Sequence, residues 1–206
     1  MGDFRRRLLG AARLDPATYE EVEHDPGALR QASGVVLLYG AAAGLTSVGP
    51  SALAAVFSGM IAAIVGWVIW AVLIFLIGTR LLPGRQTEAN AGQLFRTLGF
   101  AAAPGIALVI GIISPLLPIV FVVTQVWMIA AMVVAVRQAL DYTSTRRAVG
   151  VCVIAWLAQL LVAASLYAVL SPAATPPVAA TRDSPAPAAA SYVGVVKPSA
   201  VAPPVE

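Results

Sequence analysis

The chain has 206 residues, of which 59% are hydrophobic and 11% charged, with a formal net charge of +3. An ordinary soluble domain carries about 25% charged residues. Here no Asp, Glu, Lys, Arg or His occurs in the 49 residues between Arg30 and Arg80, the 40 between Arg96 and Arg137, or the 34 between Arg147 and Arg182. About 20 apolar residues cross a bilayer, so an all-α polytopic membrane protein is expected, and a soluble enzyme, a disulfide scaffold and a nucleic-acid-binding domain are close to excluded.

Residues 1–30 read as a cytoplasmic arm. Arg5-Arg6-Arg7 is followed by only a short apolar stretch, Leu8 to Leu14, and then by Asp15-Pro16 and the acidic run Glu20, Glu21, Glu23, Asp25. A cleaved signal needs a longer apolar core and a small-residue cleavage site, so none is expected. Two readings of the first 14 residues stand. In one they form an interfacial helix with Phe4, Leu8 and Ala11 or Ala12 on its apolar side and Arg5, Arg6, Arg7 and Arg13 at lipid headgroups. In the other they are a solvated, fraying terminus. Asp15-Pro16 and Asp25-Pro26 each place an N-cap acceptor before a proline suited to the first helical position. The second is expected to start a long helix near Pro26, and His24 is expected on the surface.

Residues 31–170 are expected to hold five transmembrane helices. The first runs from about Gly34 to Gly49-Pro50, the second from Ala52 to Leu76, the third from Leu98 to Ile113. The fourth runs from Ile119 to Val136 and the fifth from Ala148 to Leu170, closed by Ser171-Pro172. Proline and glycine punctuate these boundaries because neither continues a helix comfortably. The third span is short and carries Pro104, which predicts a kink or a partly re-entrant course. Eleven of the 13 basic residues fall in the arm, the second-to-third connection and the fourth-to-fifth connection. Cytoplasmic loops retain Lys and Arg, so the amino terminus is expected inside and the carboxyl terminus outside. Residues 171–206 hold eight of the 15 prolines and read as a disordered Pro/Ala-rich tail on the outer side.

An ionisable residue at a helix centre costs roughly 2.5–3.5 kcal/mol and is kept for function. These spans contain none. With one histidine and one cysteine in the chain, catalytic residues, metal ligands and cofactors are all expected to be absent, and the protein is not expected to be an enzyme. Cys152 reads as packing. Gln125 and Gln159 are candidates for hydrogen bonds across helices, or for a substrate path with Thr124. Small residues recur at helical spacing, as Gly40 and Gly44 and as Ser58, Ala62 and Gly66, and let helices approach closely in lipid or serve dimerisation. Trp67, Trp70, Trp127 and Trp156 sit within spans, which suits packing between helices better than an interfacial belt.

Two segments carry a resemblance. Leu14-Asp15-Pro16-Ala17-Thr18-Tyr19-Glu20-Glu21 leads into an Ala-rich span, and Arg96-Thr97-Leu98-Gly99-Phe100-Ala101-Ala102-Ala103-Pro104-Gly105 precedes Trp127 and Val134-Ala135-Val136-Arg137-Gln138-Ala139-Leu140. With the five-span layout, these resemble the bacterial branch of the Yip (Ypt-interacting protein) domain family over roughly residues 12 to 170. Gly99-Phe100-x-x-x-Pro104 is similar to the family's Gly-Tyr-x-x-x-Pro element, with Phe in place of Tyr, and Asp15, Pro16 and Tyr19 form the arm motif. Eukaryotic relatives bind small GTPases in vesicle traffic and organise membranes. Their longer acidic Asp-Leu-x-Gly-Pro element is not evident here, which leaves GTPase binding doubtful. The resemblance implies a non-enzymatic organiser or adaptor of a bacterial cytoplasmic membrane whose partners are lipids, other membrane proteins or a second copy. The alternative is a transporter or channel for a neutral or apolar solute. Gly99, Phe100 and Pro104 also read as a thin face and kink for packing against a neighbouring helix.

Overall fold

The computed structural model describes residues 2–46, 51–82 and 90–170, and all regular structure among them is helical. Contacts divide the chain into Met1–Ala168 and Val169–Glu206, and all packing described below belongs to the first unit. The expected turn at Gly49-Pro50, Arg85 and the expected tail at 171–206 lie outside the described residues.

The arm forms two helices, α1 (Gly2–Ala12) and α2 (Pro16–His24). α1 closes with Leu14 in the left-handed region, φ 62°, and the Asp15 N–H returning to the Gly10 carbonyl at 3.0 Å, a Schellman-type end. α2 starts as its sequence requires. Pro16 occupies the first turn, and the Asp15 carboxylate accepts from the Ala17 N–H at 3.2 Å and the Thr18 hydroxyl at 2.8 Å.

Asp25-Pro26 behaves differently from its expectation. Asp25 accepts from the Gly27 N–H at 2.8 Å in a turn, and α3 (Ala28–Leu45) begins only after Gly27, without a side-chain cap. α4 (Ala52–Leu76) is capped by Ser51 and ends in one π-helical turn, Ile77–Leu81. α5 (Ala91–Phe100) opens with a capping box in which the Asn90 N–H donates to Gln93 Oε1 at 2.8 Å. A turn at Ala101 and Ala102 leads into a 3-10 segment, Ala103–Ile112. α6 (Leu117–Ala139) and α7 (Thr145–Leu170) complete the described chain.

Among the described residues, four stretches are long and apolar enough to cross a membrane: Ala52–Leu81, Ala91–Ile112, Leu117–Ala139 and Thr145–Ser165. The 18-residue α3, which contains Arg30 and Gln31, is not among them. Ala91–Ile112 is the central one. Its window is 61% buried, against 17–28% for the other three. Its winding also answers the shortness read from the sequence. Ten α-helical residues at about 1.5 Å and ten 3-10 residues at about 2.0 Å reach roughly 35 Å, more than the roughly 30 Å of hydrocarbon. Pro104 therefore does not kink the interior of a helix. It sits in the first turn of the 3-10 segment, where its missing N–H is cheap.

α3 and α4 cross with backbones almost touching. A Cβ at Gly40 would lie 2.6 Å from the Gly59 carbonyl oxygen and 2.8 Å from Met60 Cα, and one at Gly44 would strike the Ala55 carbonyl. The partner face on α4 is thus Ala55, Gly59 and Ala63. The stripe Ser58, Ala62 and Gly66 lies elsewhere: Ser58 and Ala62 are exposed, and nothing approaches Gly66 within 4 Å. Gly99 plays the matching role between α5 and α3, where an added Cβ would lie 2.7 Å from Ala32 Cβ, and Phe100 beside it is fully buried.

Candidate functional sites at the two ends of the bundle

The first site is the docked arm. Arg6 donates to both oxygens of Glu21, at 2.6 and 2.8 Å, and Arg7 Nε donates to the same carboxylate at 2.8 Å. Arg7 Nη1 also reaches Asp25 at 2.7 Å and Gln31 at 3.2 Å. The Arg6 hydrogen bonds, seconded by Arg7, hold the Glu21 carboxyl down at about 2. Arg7 is only 8% exposed, so it binds α1 to α2 and is withdrawn from the headgroup set, while Arg5, Arg6 and Arg13 are exposed. Tyr19 is fully buried and donates to the Ala11 carbonyl at 3.1 Å. The motif Asp15, Pro16, Tyr19 thus starts α2 and fastens it to α1.

The arm then locks onto the bundle. Trp127 Nε1 donates to the Ala12 carbonyl at 2.7 Å, which makes this indole the anchor of the end of α1. Arg96 on α5 donates to the Val22 and Glu23 carbonyls, with Nε at 3.1 Å from each. A cation at the last carbonyls of α2 satisfies groups that the helix leaves open and meets the negative end of its dipole. The Tyr142 hydroxyl donates to the Leu82 carbonyl at 2.8 Å and lies 3.1 Å from that of Gly78, tying the α6–α7 turn to the π-helical end of α4. No pattern in the sequence pointed to Arg96 or Tyr142 in these roles, because their partners lie 60 to 74 residues away.

A 340 Å³ polar hollow opens where α2 meets the end of α6, lined by Glu20, Glu23, His24, Arg137, Asp141 and Tyr142 among others. Glu23 is 4% exposed, and its carboxyl is pushed up to about 7 by burial first and by the charge of Asp141 second, against the opposing pull of His24 and Arg96. Asp141 adopts φ 49° and ends α6 in the same Schellman manner as Leu14 ends α1. His24 is exposed, with Nδ1 2.9 Å from the Glu20 carbonyl oxygen.

The second site is a 760 Å³ groove between α3 and α4 on one side and α6 and α7 on the other. Gln125 and Gln159 both line it, as do Ser58, Ala62 and Gly66. Thr124 does not; it is 1% exposed within the bundle. Trp67 packs edge-on to Phe95 of α5 with ring centroids 5.4 Å apart. The Nε1 atoms of Trp67 and Trp70 and Oε1 of Gln159 are buried without a hydrogen-bond partner. The sequence marked the glutamines and small residues but not the two indoles, whose N–H groups would have been the usable signal.

The profile of one protein family, the Yip1 domain, matches residues 17–167. Neither the curated proteins nor the solved structures contain a significant match to this chain.

Proposed function

This chain belongs to the Yip1 domain family, and from that premise we propose that it is a non-enzymatic, five-span organiser of the cytoplasmic membrane that recruits protein or lipid partners at its cytosolic end. The observation that carries the reading is the docked arm. α1 and α2 are held by part-buried ion pairing, and Asp3, Arg5, Glu20 and His24 remain exposed. A recruiting surface needs such a frame, because a rigid patch loses less freedom on binding than a loose tail. In this reading α3 is the first span. The arm, the end of α4, Arg96 and the α6–α7 turn lie together at one end of the bundle, which supports a shared cytosolic side for their basic residues.

Two measurements test it. Compartment-sensitive reporters fused at Gly84 and Glu206 are expected to report opposite sides of the membrane; a common side overturns the five-span arrangement. Photo-crosslinkers at Arg5 and Glu20 in native membranes are expected to yield a discrete adduct that Arg5→Glu or Glu20→Lys on the neighbouring position abolishes. Absence of any arm adduct, while a crosslinker at Leu53 labels lipid, removes the recruiting role.

A second reading, movement of a neutral or apolar solute, is favoured by one observation: Gln125 and Gln159 share a single cavity. Flux into reconstituted vesicles that is equal for the native protein and for Gln125→Leu/Gln159→Leu eliminates it.

A further inference from the structure

We propose that the polar hollow between α2 and the end of α6 is a binding site for a primary ammonium group, carried by a free amine or by an ethanolamine phospholipid head. The inference rests on the docking of α2 against α6 and on neither recruitment nor transport. At 340 Å³ the hollow lies at the small end of the range of about 300–1,000 Å³ typical of ligand sites.

Glu23 is the observation that asks for a ligand. It is 4% exposed, yet among the described residues nothing donates a hydrogen bond to its carboxylate and no ion pair reaches it. Arg96 takes only its backbone carbonyl. Its oxygens are not among the sealed polar atoms, so the little surface left to them opens into the hollow that Glu23 lines. A buried carboxylate without a donor is expensive, because hydrogen bonds and counter-charge are what offset its lost hydration.

Sign, geometry and donor count select the occupant. Three carboxylates, those of Glu20, Glu23 and Asp141, line the hollow with one guanidinium, Arg137, and the His24 ring. Arg137 is exposed and turns its Nε toward the Tyr142 carbonyl at 3.4 Å, and His24 engages the Glu20 carbonyl oxygen through Nδ1. The balance is negative, which favours a cation over an anion. A bare metal ion does not fit: among the described residues no three His, Cys, Asp or Glu side chains are grouped to hold one. A quaternary ammonium needs open aromatic faces. The lining offers one phenol, Tyr142, which is 4% exposed, has the Arg147 guanidinium 5.7 Å from its ring centroid, and gives its hydroxyl to the Leu82 carbonyl. A primary ammonium instead brings one charge and three N–H donors that separate carboxylates can share. Gln138 and Thr143, also in the wall, add neutral oxygen acceptors.

Occupancy is tied to a proton. The Glu23 carboxyl is pushed up to about 7 by burial first and then by Asp141, with Glu20 adding to the rise and His24 and Arg96 opposing it. Arg137 and Tyr142 face the same hollow from the end of α6. An ammonium engages the ionised carboxylate, so its binding releases the proton that Glu23 otherwise holds below pH 7, and affinity falls as pH falls.

The test uses the full chain in phosphatidylcholine nanodiscs, with ethanolamine as the probe at constant ionic strength. Saturation-transfer NMR reads the apparent affinity after subtraction of nanodiscs without protein. A saturable signal that choline does not displace is expected. Only protein with Glu23 ionised is competent, so the affinity should fall about tenfold from pH 8 to pH 6. The probe itself stays cationic over that range, as a lysine ammonium with its pKa of about 10.4 does. Glu23→Gln should weaken binding about tenfold or more at pH 8, the size of a charge-assisted hydrogen bond, and flatten the slope. Asp141→Asn, in which Asn tolerates the left-handed φ of 49°, should weaken binding and move the slope to lower pH. His24→Gln should keep the slope, which excludes the imidazole as its source. Replacing part of the phosphatidylcholine by phosphatidylethanolamine distinguishes the sources: loss of the ethanolamine signal assigns the site to the lipid head, and an unchanged signal assigns it to a free amine. No saturable signal, an equal signal for choline, displacement by magnesium at matched ionic strength, or affinity indifferent to both carboxylate variants overturns the ammonium site. The arm crosslinks and span reporters judge the proposed function separately.

Discussion

The two ends of this bundle are built from similar apolar helices and packed by opposite rules. Toward the arm, α4 buries Ala71, Ile74 and Ile77, α6 buries Ala131, Ala135 and Val136, and α7 buries Ala148, Val151 and Ala155. Toward the other end the same helices expose Leu53, Phe57 and Ile61, then Ile119, Val122 and Val123, then Leu157, Leu161 and Tyr167. The arm end is joined by hydrogen bonds reaching across 60 or more residues, from Arg96 and Tyr142 to backbone carbonyls. The far end depends on side-chain contact in a solvent as apolar as the side chains, where burial supplies no hydrophobic drive. Directional bonds therefore fix one end, while the other is free to part into a groove.

The comparison can be broken at its strongest point by filling the α3–α4 crossing. Gly59→Leu drives a side chain into the Gly40 carbonyl and the Gly44 backbone, which cannot move aside. It should cost about 3 kcal/mol or more, the upper part of the overpacking range, and appear as a large drop in thermal midpoint in nanodiscs. Gly66→Leu, placed in open space, should leave that midpoint nearly unchanged. Equal effects would mean that the two faces of α4 are not distinguished as described.

Arg7→Ala comes next. It leaves Glu21 and Asp25 without their buried partner and should cost about 1–3 kcal/mol, below the full value for a wholly buried pair because Glu21 is 32% exposed. Amide hydrogen exchange should accelerate in α1 and α2 before it does so in α4. Arg6→Ala, by contrast, removes a guanidinium that is 59% exposed, where solvent screens the pair, and should lower the thermal midpoint less than Arg7→Ala does.

Glu23 sharpens the comparison through pH. Its folded carboxyl sits near 7 and its unfolded one near the usual 4.5, so between those values the folded state holds the extra proton. The stability this supplies is complete below about pH 4.5, falls as pH rises toward 7, and is gone above it, a change on the order of 1–3 kcal/mol. Glu23→Gln should flatten that slope and raise the thermal midpoint at pH 8. Asp141→Asn, which removes the second cause of the shift, should move the slope to lower pH. A native profile flat from pH 5 to 7 would refute the burial of this carboxyl. The smallest effect is expected for Tyr142→Phe, about 1 kcal/mol for the lost bond to the Leu82 carbonyl, detectable as faster exchange at the end of α4.

Much of the arm was legible because capping is local. Asp15 and Pro16 start α2 within three residues of one another, and the apolar side of Phe4 and Leu8 follows one helical period. Asp25-Pro26 carried the same signal and was used otherwise, since the Asp25 carboxylate was drawn to Arg7 and the Gly27 N–H. The sites were less legible. Gln125 and Gln159, read as interhelical hydrogen-bonders or as the lining of a path with Thr124, share one groove without Thr124, and Trp67 and Trp70 counted as packing until their N–H groups proved unpartnered.

Charge-free tracts and periodic small residues by themselves determined that this is an all-helical chain suited to hydrocarbon, with an amphipathic arm at one end and tight helix crossings within. Those properties depend only on neighbours a few residues apart. The tertiary structure alone decided that Gly59 and not Ser58 meets α3, that Arg7 turns inward, that Arg96 closes α2, and that a groove remains beside the crossing. Each of these depends on how far a helix is rotated about its own axis. On α4 two adjacent faces are equally small, so only the partner helix could choose between them.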